Sequence, residues 1–423
     1  MLKGKHIVVG LSGGIAAYKI PDLIRCLIKA GAEVKVTCTR HALEFVTELT
    51  LRTLSGNAVY SDVFASVNAH STEHISLPDW ADLMLIAPAT ANVLGKMAAG
   101  IADDALTTTF AATVARKPVV IAPAMNDKMY ANAATRSSLE QLSCTEGVMV
   151  LDAAEGFLAC GTTGKGRMQE NDVIMEAVET ALTDKSLTGR HILITAGPTR
   201  ERIDPVRYVS NDSSGKMGYA LARECLRRGA RVTLISGPTN QQITTVPLFS
   251  LNESQQPPRN RNKLTLIPIE SAQEMYDAAV NVFTDDSQAG IHRADTAILS
   301  AAVADFTPAE KATEKRKKQP RQTEMQLRMV ITQDIAATLG RLKQSGQRII
   351  GFALETEHEH ENALLKLRGK HMDAIVLNSL RDKGAGFGVD TNKVTLLRSD
   401  GTENDLPLML KQEVAACIVT MLC

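Results

Sequence analysis

Short apolar runs of strand length alternate with longer amphipathic segments along most of the chain. In the first half the runs fall at 7–9, 34–38, 83–87, 119–122 and 148–150, with helix-length segments such as 16–30 and 92–115 between them. Runs this short and this continuously apolar mark strands covered on both faces, so the alternation predicts a mostly parallel sheet with helices on each side. A polar stretch at 183–190 interrupts the pattern, which restarts at His191. The second half then gives strand-like runs at 192–196, 232–236, 264–268, 296–299, 349–352 and 374–377, and helix patterns at 215–228, 272–283, 334–343 and 359–368. Two further runs flank Asp400-Gly401, a pair that predicts a hairpin turn. The expected fold class is α/β, as two Rossmann-like domains at residues 1–186 and 187–423.

Two stretches, from Ile7 and from Ile192, share one grammar of strand, glycine-rich loop, helix, glycine and strand. They open with IVVGLSGGIAAYK and with ILITAGPTRERIDPVRYVSNDSSGKMG. Such loops bring backbone N–H groups and a helix N-terminus to a phosphate. Neither contains GxGxxG. The second strands end in Thr37-Cys38-Thr39 and in Ser236-Gly237, without the acid that holds a dinucleotide's ribose. A mononucleotide therefore fits better than NAD. Gly215-Lys216 is followed by Met217, so no Walker loop is present. The alternative is that these glycines serve only tight strand–helix turns.

Composition narrows the classes. With 47 basic and 47 acidic residues, nothing favours nucleic acid or an anionic membrane as partner. No apolar run is long enough to span a bilayer, and the N-terminal run is too short for a signal peptide. Seven scattered cysteines without a CxxC pair fit a reducing compartment, so a cytoplasmic protein is expected. The Pro/Asn/Gln-rich stretch 250–263 reads as a surface loop, and 311–321 as a basic loop.

Four pieces of the first half carry candidate chemistry: His74 ahead of a strand, APATAN (87–92), PAMNDKMY (123–130), and Cys160 within ACGTTGKGRM. The second and third end strands with small residues, so Thr90, Asn92 and Asn126 would face the crevice where open α/β sheets bind ligands. Glycines around Cys160 make its segment a candidate lid. Taken together with SGGIAAYK, these motifs resemble the flavin-dependent cysteine decarboxylases, the phosphopantothenoylcysteine decarboxylases in particular. The second half, with AGPTRERIDPVRYVSNDSSGKMG, SAAVADF, EKRKKQ and GFALET, resembles the phosphopantothenate–cysteine ligases. The ordered set covers nearly the whole chain, in the order of the fused bifunctional family of coenzyme A biosynthesis.

That resemblance implies a flavodoxin-like, FMN-binding decarboxylase domain followed by a mostly parallel-sheet ligase domain. It implies FMN contacts from Ser12, Gly13, Gly14, Thr39, Thr90 and Asn92. His74 would be the active-site base, Asn126 would hold the substrate carboxylate, Met125 would shape the pocket, and Cys160 would protonate an enethiolate. In the second half it implies 4'-phosphopantothenate, cysteine and CTP as substrates, an acyl-cytidylate intermediate, and Mg2+ with the triphosphate. Asn211 would serve the acyl-cytidylate and Lys315 its formation. Ser300, Ala301, Asp305, Gln333, Asp334, Ile335, Ala336, Phe352, Lys366 and Lys370 would complete the CTP pocket. A homo-oligomer is implied, with trimeric decarboxylase contacts and dimeric ligase contacts.

Departures from the family pattern are few. Thr332-Gln333-Asp334-Ile335 stands where Asn-Pro-Asp-Ile is frequent, Leu354 stands where alanine is common in GFALET, and 250–263 is longer than usual. Lys366 and Lys370 share a helix face, which suits a solvated surface and a phosphate clamp equally. The EHEH run at 357–360 reads as an exposed helix start without a metal.

Overall fold

The computed structural model describes residues 2–64, 72–157, 161, 163–249, 264–285, 293–317, 323–355, 357–379, 384–386 and 388–423. They form two compact units, Met1–Thr183 with Thr244–Arg261, and Asp184–Ile243 with Asn262–Cys423.

The first unit opens with β1 (His6–Leu11), a 3₁₀ turn at Ile15–Lys19, α1 (Ile20–Lys29), β2 (Glu33–Cys38), α2 (Glu48–Ser55), β3 (Val59–Tyr60) and α3 (Glu73–Trp80). It continues through β4 (Leu83–Ala89), α4 (Ala91–Ala99), α5 (Ala105–Thr113), β5 (Val119–Pro123), α6 (Asp127–Ala131), α7 (Ala133–Cys144) and β6 (Val148–Val150). A hairpin of β7 (Ala154–Phe157) and β8 (Thr163–Arg167) precedes α8 (Asn171–Leu182). The six main strands are parallel and ordered β3-β2-β1-β4-β5-β6. Side-chain alternation divides β1 between two cores. Ile7, Val9 and Leu11 pack with Leu23, Leu27 and Val178 on one face, while Val8 packs with Leu94, Leu106 and Phe110 on the other.

The single helix expected at 92–115 is two helices. Gly100 ends α4 in the left-handed region at φ 71°, and Asp104 starts α5 with a capping box to Thr107. Glycine tolerates that conformation and the aspartate satisfies orphan N–H groups, so the break has a local cause. The helix expected from 16 begins instead as the 3₁₀ turn.

The second unit runs through β9 (His191–Ala196), β10 (Arg200–Arg202), β11 (Tyr208–Ser210), α9 (Lys216–Arg227), β12 (Arg231–Ser236), β13 (Leu264–Pro268) and α10 (Ala272–Thr284). Then come β14 (Thr296–Leu299), β15 (Phe306–Pro308), β16 (Met329–Ile331), α11 (Ile335–Leu342), β17 (Arg348–Glu355), α12 (Glu359–Gly369) and β18 (Ala374–Ser379). The expected hairpin is β19 (Thr391–Arg398) and β20 (Glu403–Leu410), followed by α13 (Lys411–Leu422). The main sheet is ordered β13-β12-β9-β14-β17-β18-β19-β20, parallel as far as β18 and antiparallel beyond. Helices α9 and α13 cover one face, and α10, α11 and α12 the other. In each sheet the strand order reverses beside the first strand of its unit, at β1/β4 and at β9/β14, which is where open α/β sheets leave a ligand crevice.

Candidate active sites

The first crevice has a cavity of about 660 Å³. Gly13 and Gly14 line it from the loop after β1, Thr90 and Asn92 from the start of α4, and Met125 and Asn126 from the loop after β5. Ser12 lies beneath, fully buried. Its hydroxyl donates to the Pro88 carbonyl at 2.6 Å and accepts from the Thr90 N–H at 2.9 Å. Ser12 thereby joins the glycine loop to the end of β4. A Cβ on Gly13 would lie 2.6 Å from the Cβ of His41 and 2.9 Å from its carbonyl oxygen, so only glycine allows this approach.

The hydroxyls of Thr37 and Thr39 are buried near the loop without a hydrogen-bond partner among the described residues. Such groups are costly unless something pairs with them, which fits a polar ligand at the carboxyl end of β2. Between them Cys38 is inert: burial pushes its thiol up to about 12, with Glu48 and Asp104 adding to the effect.

Asn126 is the N-cap of α6, and its side-chain oxygen accepts from Lys128 N–H at 2.9 Å. Its loop is pressed against β8. The Met125 N–H donates to the Gly166 carbonyl at 2.8 Å, and a Cβ on Gly166 would sit 2.4 Å from the Met125 oxygen. Lys165 and Tyr130 both reach Asp152, at 2.5 Å each. Burial, followed by the Asp152 hydrogen bond, raises the Tyr130 phenol well above its ordinary range, so it stays a neutral donor.

Sequence reading does not recover the whole lining. Tyr18, Lys19, Met129, Phe157 and Arg167 also border the cavity. All but Phe157 lie within motifs quoted above, but nothing in those motifs singles them out as lining residues. His74 stands in the first turn of α3, half-buried and outside this lining. Cys160 lies outside the described residues.

The second crevice holds a cavity of about 610 Å³. Asn211, Ser300, Ala301 and Phe352 line it, together with 212–218 at the head of α9. Asn211 donates its amide to the Val303 carbonyl at 2.9 Å, and Ser300 donates to the Thr195 carbonyl at 2.7 Å. Four lining residues have no sequence motif: Asn378, Gly386, Asn392 and Lys411. Asn392 is almost fully buried and donates to Asn378 at 3.3 Å across β18 and β19. Lys411 donates to the carbonyls of Gly386 and Val389 at 2.9 and 2.6 Å. Burial, then the neighbouring Lys216 charge, lowers its pKa. Lys216 itself pairs with Asp390 at 2.7 Å. The SSGK stretch could have flagged Lys216; nothing local flags Lys411.

The other expected nucleotide residues are not part of this lining. Lys370 pairs with Asp334 at 2.9 Å, and Asp334 also caps α11. Burial raises the Asp334 carboxyl, but backbone N–H donors and Lys370 outweigh it and leave it below its ordinary value. Lys366 pairs with Glu355 at 2.5 Å. Gln333, Ile335 and Ala336 flank Asp334, and the Asp305 carbonyl accepts from Thr332 N–H at 3.0 Å.

Lys315 is exposed, on a segment pinned from beneath by Asp204. The fully buried Asp204 carboxylate accepts from the Val206 and Arg207 N–H groups at 2.8 and 2.9 Å, from the Arg207 guanidinium at 2.6 Å and from the Arg316 N–H at 3.2 Å. Burial alone would raise its pKa; these donors outweigh it and bring it to about 2.

Comparison with known proteins assigns residues 1–183 to the family described as "Flavoprotein", and residues 187–423 to "DNA/pantothenate metabolism flavoprotein C-terminal domain". The chain is 43% identical to the coenzyme A biosynthesis bifunctional protein CoaBC of Bacillus subtilis over 418 residues, covering 98% of this chain and 96% of the relative. It is 41% identical to the protein of the same description from Escherichia coli over 413 residues, 97% of this chain and 95% of the relative. A cysteine/cysteine sulfinic acid decarboxylase from an unknown prokaryotic organism is 44% identical over 379 residues, 88% of this chain and 98% of that protein.

Proposed function

The chain belongs to the family of bifunctional coenzyme A biosynthesis proteins, and from that premise we propose how its two crevices divide the work. The division at 1–186 and 187–423 gives an FMN-dependent decarboxylase of 4'-phosphopantothenoyl-cysteine and a CTP-dependent ligase that makes this compound from 4'-phosphopantothenate and cysteine. The observation that carries the reading is convergence. SGGIAAYK, APATAN, PAMNDKMY and the end of ACGTTGKGRM meet at one crevice, and SNDSSGKMG, SAAVADF and GFALET at the other, each at a strand-order reversal.

In the first unit the residues fit a flavin mononucleotide. Gly13 and Gly14 present bare backbone to the cavity and Thr90 and Asn92 lie across from them, while the orphaned Thr39 hydroxyl is buried outside the lining and would reach the ligand only once uncovered. Bound flavin would supply the hydride acceptor and donor that decarboxylation of a cysteine requires as an electron sink. Asn126, fixed by its cap, would orient the substrate carboxylate. Cys160 would deliver a proton and His74 would remove one. His74 is outside the lining of this cavity, and in this reading it comes to the site from a neighbouring copy. Exposed Tyr18 (63%) and Phe157 (73%) beside the cavity support a site shared between copies, which the family resemblance puts in a trimer.

In the second unit, a carboxylate must be activated before an amine can attack it. The N-terminus of α9 with Lys216, and Lys315 on its pinned segment, would offset triphosphate charge as the acyl-cytidylate forms. Asn211 would hold that intermediate. Lys366 and Lys370 would have to exchange their carboxylate partners for phosphate. Magnesium finds no protein cage, since no group of three or more His, Cys, Asp or Glu among the described residues could hold a metal ion. The ion would come bound to the triphosphate oxygens. Exposed Phe306 and Ile331 on β15 and β16 support dimeric contacts of this unit. No helix among the described residues is long and apolar enough to cross a membrane.

The test is direct. The full chain, loaded with FMN and given 4'-phosphopantothenate, cysteine, Mg2+ and CTP, should release CMP, pyrophosphate and CO2 and form 4'-phosphopantetheine. ATP in place of CTP should give far less product. Absence of both CMP and phosphopantetheine would overturn the reading, and efficient CO2 release from free cysteine alone would reassign the first site's substrate.

A further inference from the structure

One piece of the first unit comes from far along the chain. Residues 244–249 follow β12 and precede β13 in sequence, yet they cluster with the first unit. They lie antiparallel on the free edge of β6. Leu248 bridges Leu151, the Asp152 N–H donates to the Pro247 carbonyl at 2.8 Å, and the Phe249 N–H donates to the Val150 carbonyl at 3.0 Å. Val246 and Leu248 pack against one core of the unit, and Phe249 is buried in the other. The segment thus alternates as a strand does and covers an edge that would otherwise be open.

Its contacts lead into the active site. The Phe249 ring meets Tyr130 edge to face, 6.4 Å between centroids at 87°, and the Arg136 guanidinium lies 5.5 Å from the same ring. Tyr130 belongs to α6, and its N–H donates to the carbonyl of Asn126 at 2.9 Å. Its hydroxyl holds Asp152, whose other oxygen holds Lys165 on β8. Asp152 is also the residue whose backbone N–H the segment captures. One short stretch therefore fixes the hub from which both walls around Asn126 hang.

We propose that residues 246–249 are a built-in edge strand that sets the geometry of the decarboxylation site, with Phe249 as a positioning residue acting through Tyr130 and Asp152. The part concerning activity rests on the functional reading above; the part concerning structure does not.

The experiment uses the full chain with Phe249→Ala and Phe249→Leu. Hydrogen exchange in Phe249→Ala should accelerate about tenfold or more at the amides of 126–131 and 163–167, and stay unchanged in β1 and β4. Decarboxylation of 4'-phosphopantothenoyl-cysteine should lose about tenfold or more in kcat through misplacement of Asn126, with CMP release within twofold of the parent. Phe249→Leu should recover most of both losses. Unchanged exchange at 126–131 and 163–167 would overturn the proposal. So would acceleration spread evenly over the unit, or local loosening with undiminished kcat. Because exchange needs no substrate, failure of the functional reading would be told apart from failure of the strand's role.

Discussion

Replacing Gly166 with alanine should disable one activity of this chain and spare the other. The added Cβ would lie 2.4 Å from the Met125 carbonyl oxygen, 3.2 Å from the Asn126 carbonyl carbon and 3.3 Å from the Asp127 nitrogen. All three are backbone atoms, so no side chain can swing aside. Real Cβ contacts begin near 3.0 to 3.4 Å, so β8 and the Asn126 loop must separate by about 0.6 to 1.0 Å. The Met125 N–H bond to the Gly166 carbonyl, 2.8 Å long, spans the same gap and would stretch to about 3.4–3.8 Å. Overpacking of this kind costs about 1–3 kcal/mol, and the lost bond about 0.5–1.5 kcal/mol more. For a unit of this size the sum of about 1.5–4.5 kcal/mol lowers its melting midpoint by about 3–18 °C. A shift of that order next to Asn126 should cost about 10²-fold in decarboxylation. The assay follows CO2 from 4'-phosphopantothenoyl-cysteine, with CMP release in the same preparation as internal control. Gly95→Ala in α4, where a Cβ meets nothing within 4 Å, is the steric control and should melt at or slightly above the parent. Parental decarboxylation and melting in Gly166→Ala would refute the steric argument. Equal loss of both activities would refute its locality.

Three other variants probe separate features. Thr39→Val removes a buried, unpaired hydroxyl, so the flavin-free protein should gain about 1 kcal/mol, while retention of FMN on dialysis, read at the flavin absorbance, should fall. In Asp204→Asn the acid sensitivity of the second unit should weaken. The native carboxylate sits at about 2 against an ordinary 3.8, so its stabilisation is complete above 3.8 and lost as pH falls towards 2; melts from pH 6 to pH 2 should show a shallower decline in the variant. Freed from its Asp204 acceptor, the segment bearing Lys315 should also raise the KM for CTP. Lys216→Met should depress ligation, measured as pyrophosphate release, by about tenfold or more through loss of a cation at the head of α9, and leave decarboxylation intact.

The pattern along the chain sets much of this protein. Strand-length apolar runs between helix-length segments bury their surface as parallel sheets covered on both faces, and both units do so, the second as far as β18 with an antiparallel hairpin beyond. Asp400-Gly401 sets a hairpin because the turn is local. Glycine loops, APATAN and SNDSSGKMG mark the crevices because strand ends and helix starts carry their chemistry in consecutive residues. Tertiary structure alone decides the rest. Hydrophobic period says which face of an element is buried, but not which element lies against it. The capture of 244–249 by the edge of β6 depends on that, as does the meeting of Phe249 with Tyr130. Lys411 and Asn392 reach the second crevice from α13 and β19, through packing that no nearby motif announces. Lys366 and Lys370, equivalent on paper, acquire Glu355 and Asp334 as partners only once β17, α11 and α12 are assembled. Local sequence selects turns, caps and loops through short-range sterics and hydrogen bonding, whereas partners far apart in the chain are chosen by packing of the whole unit.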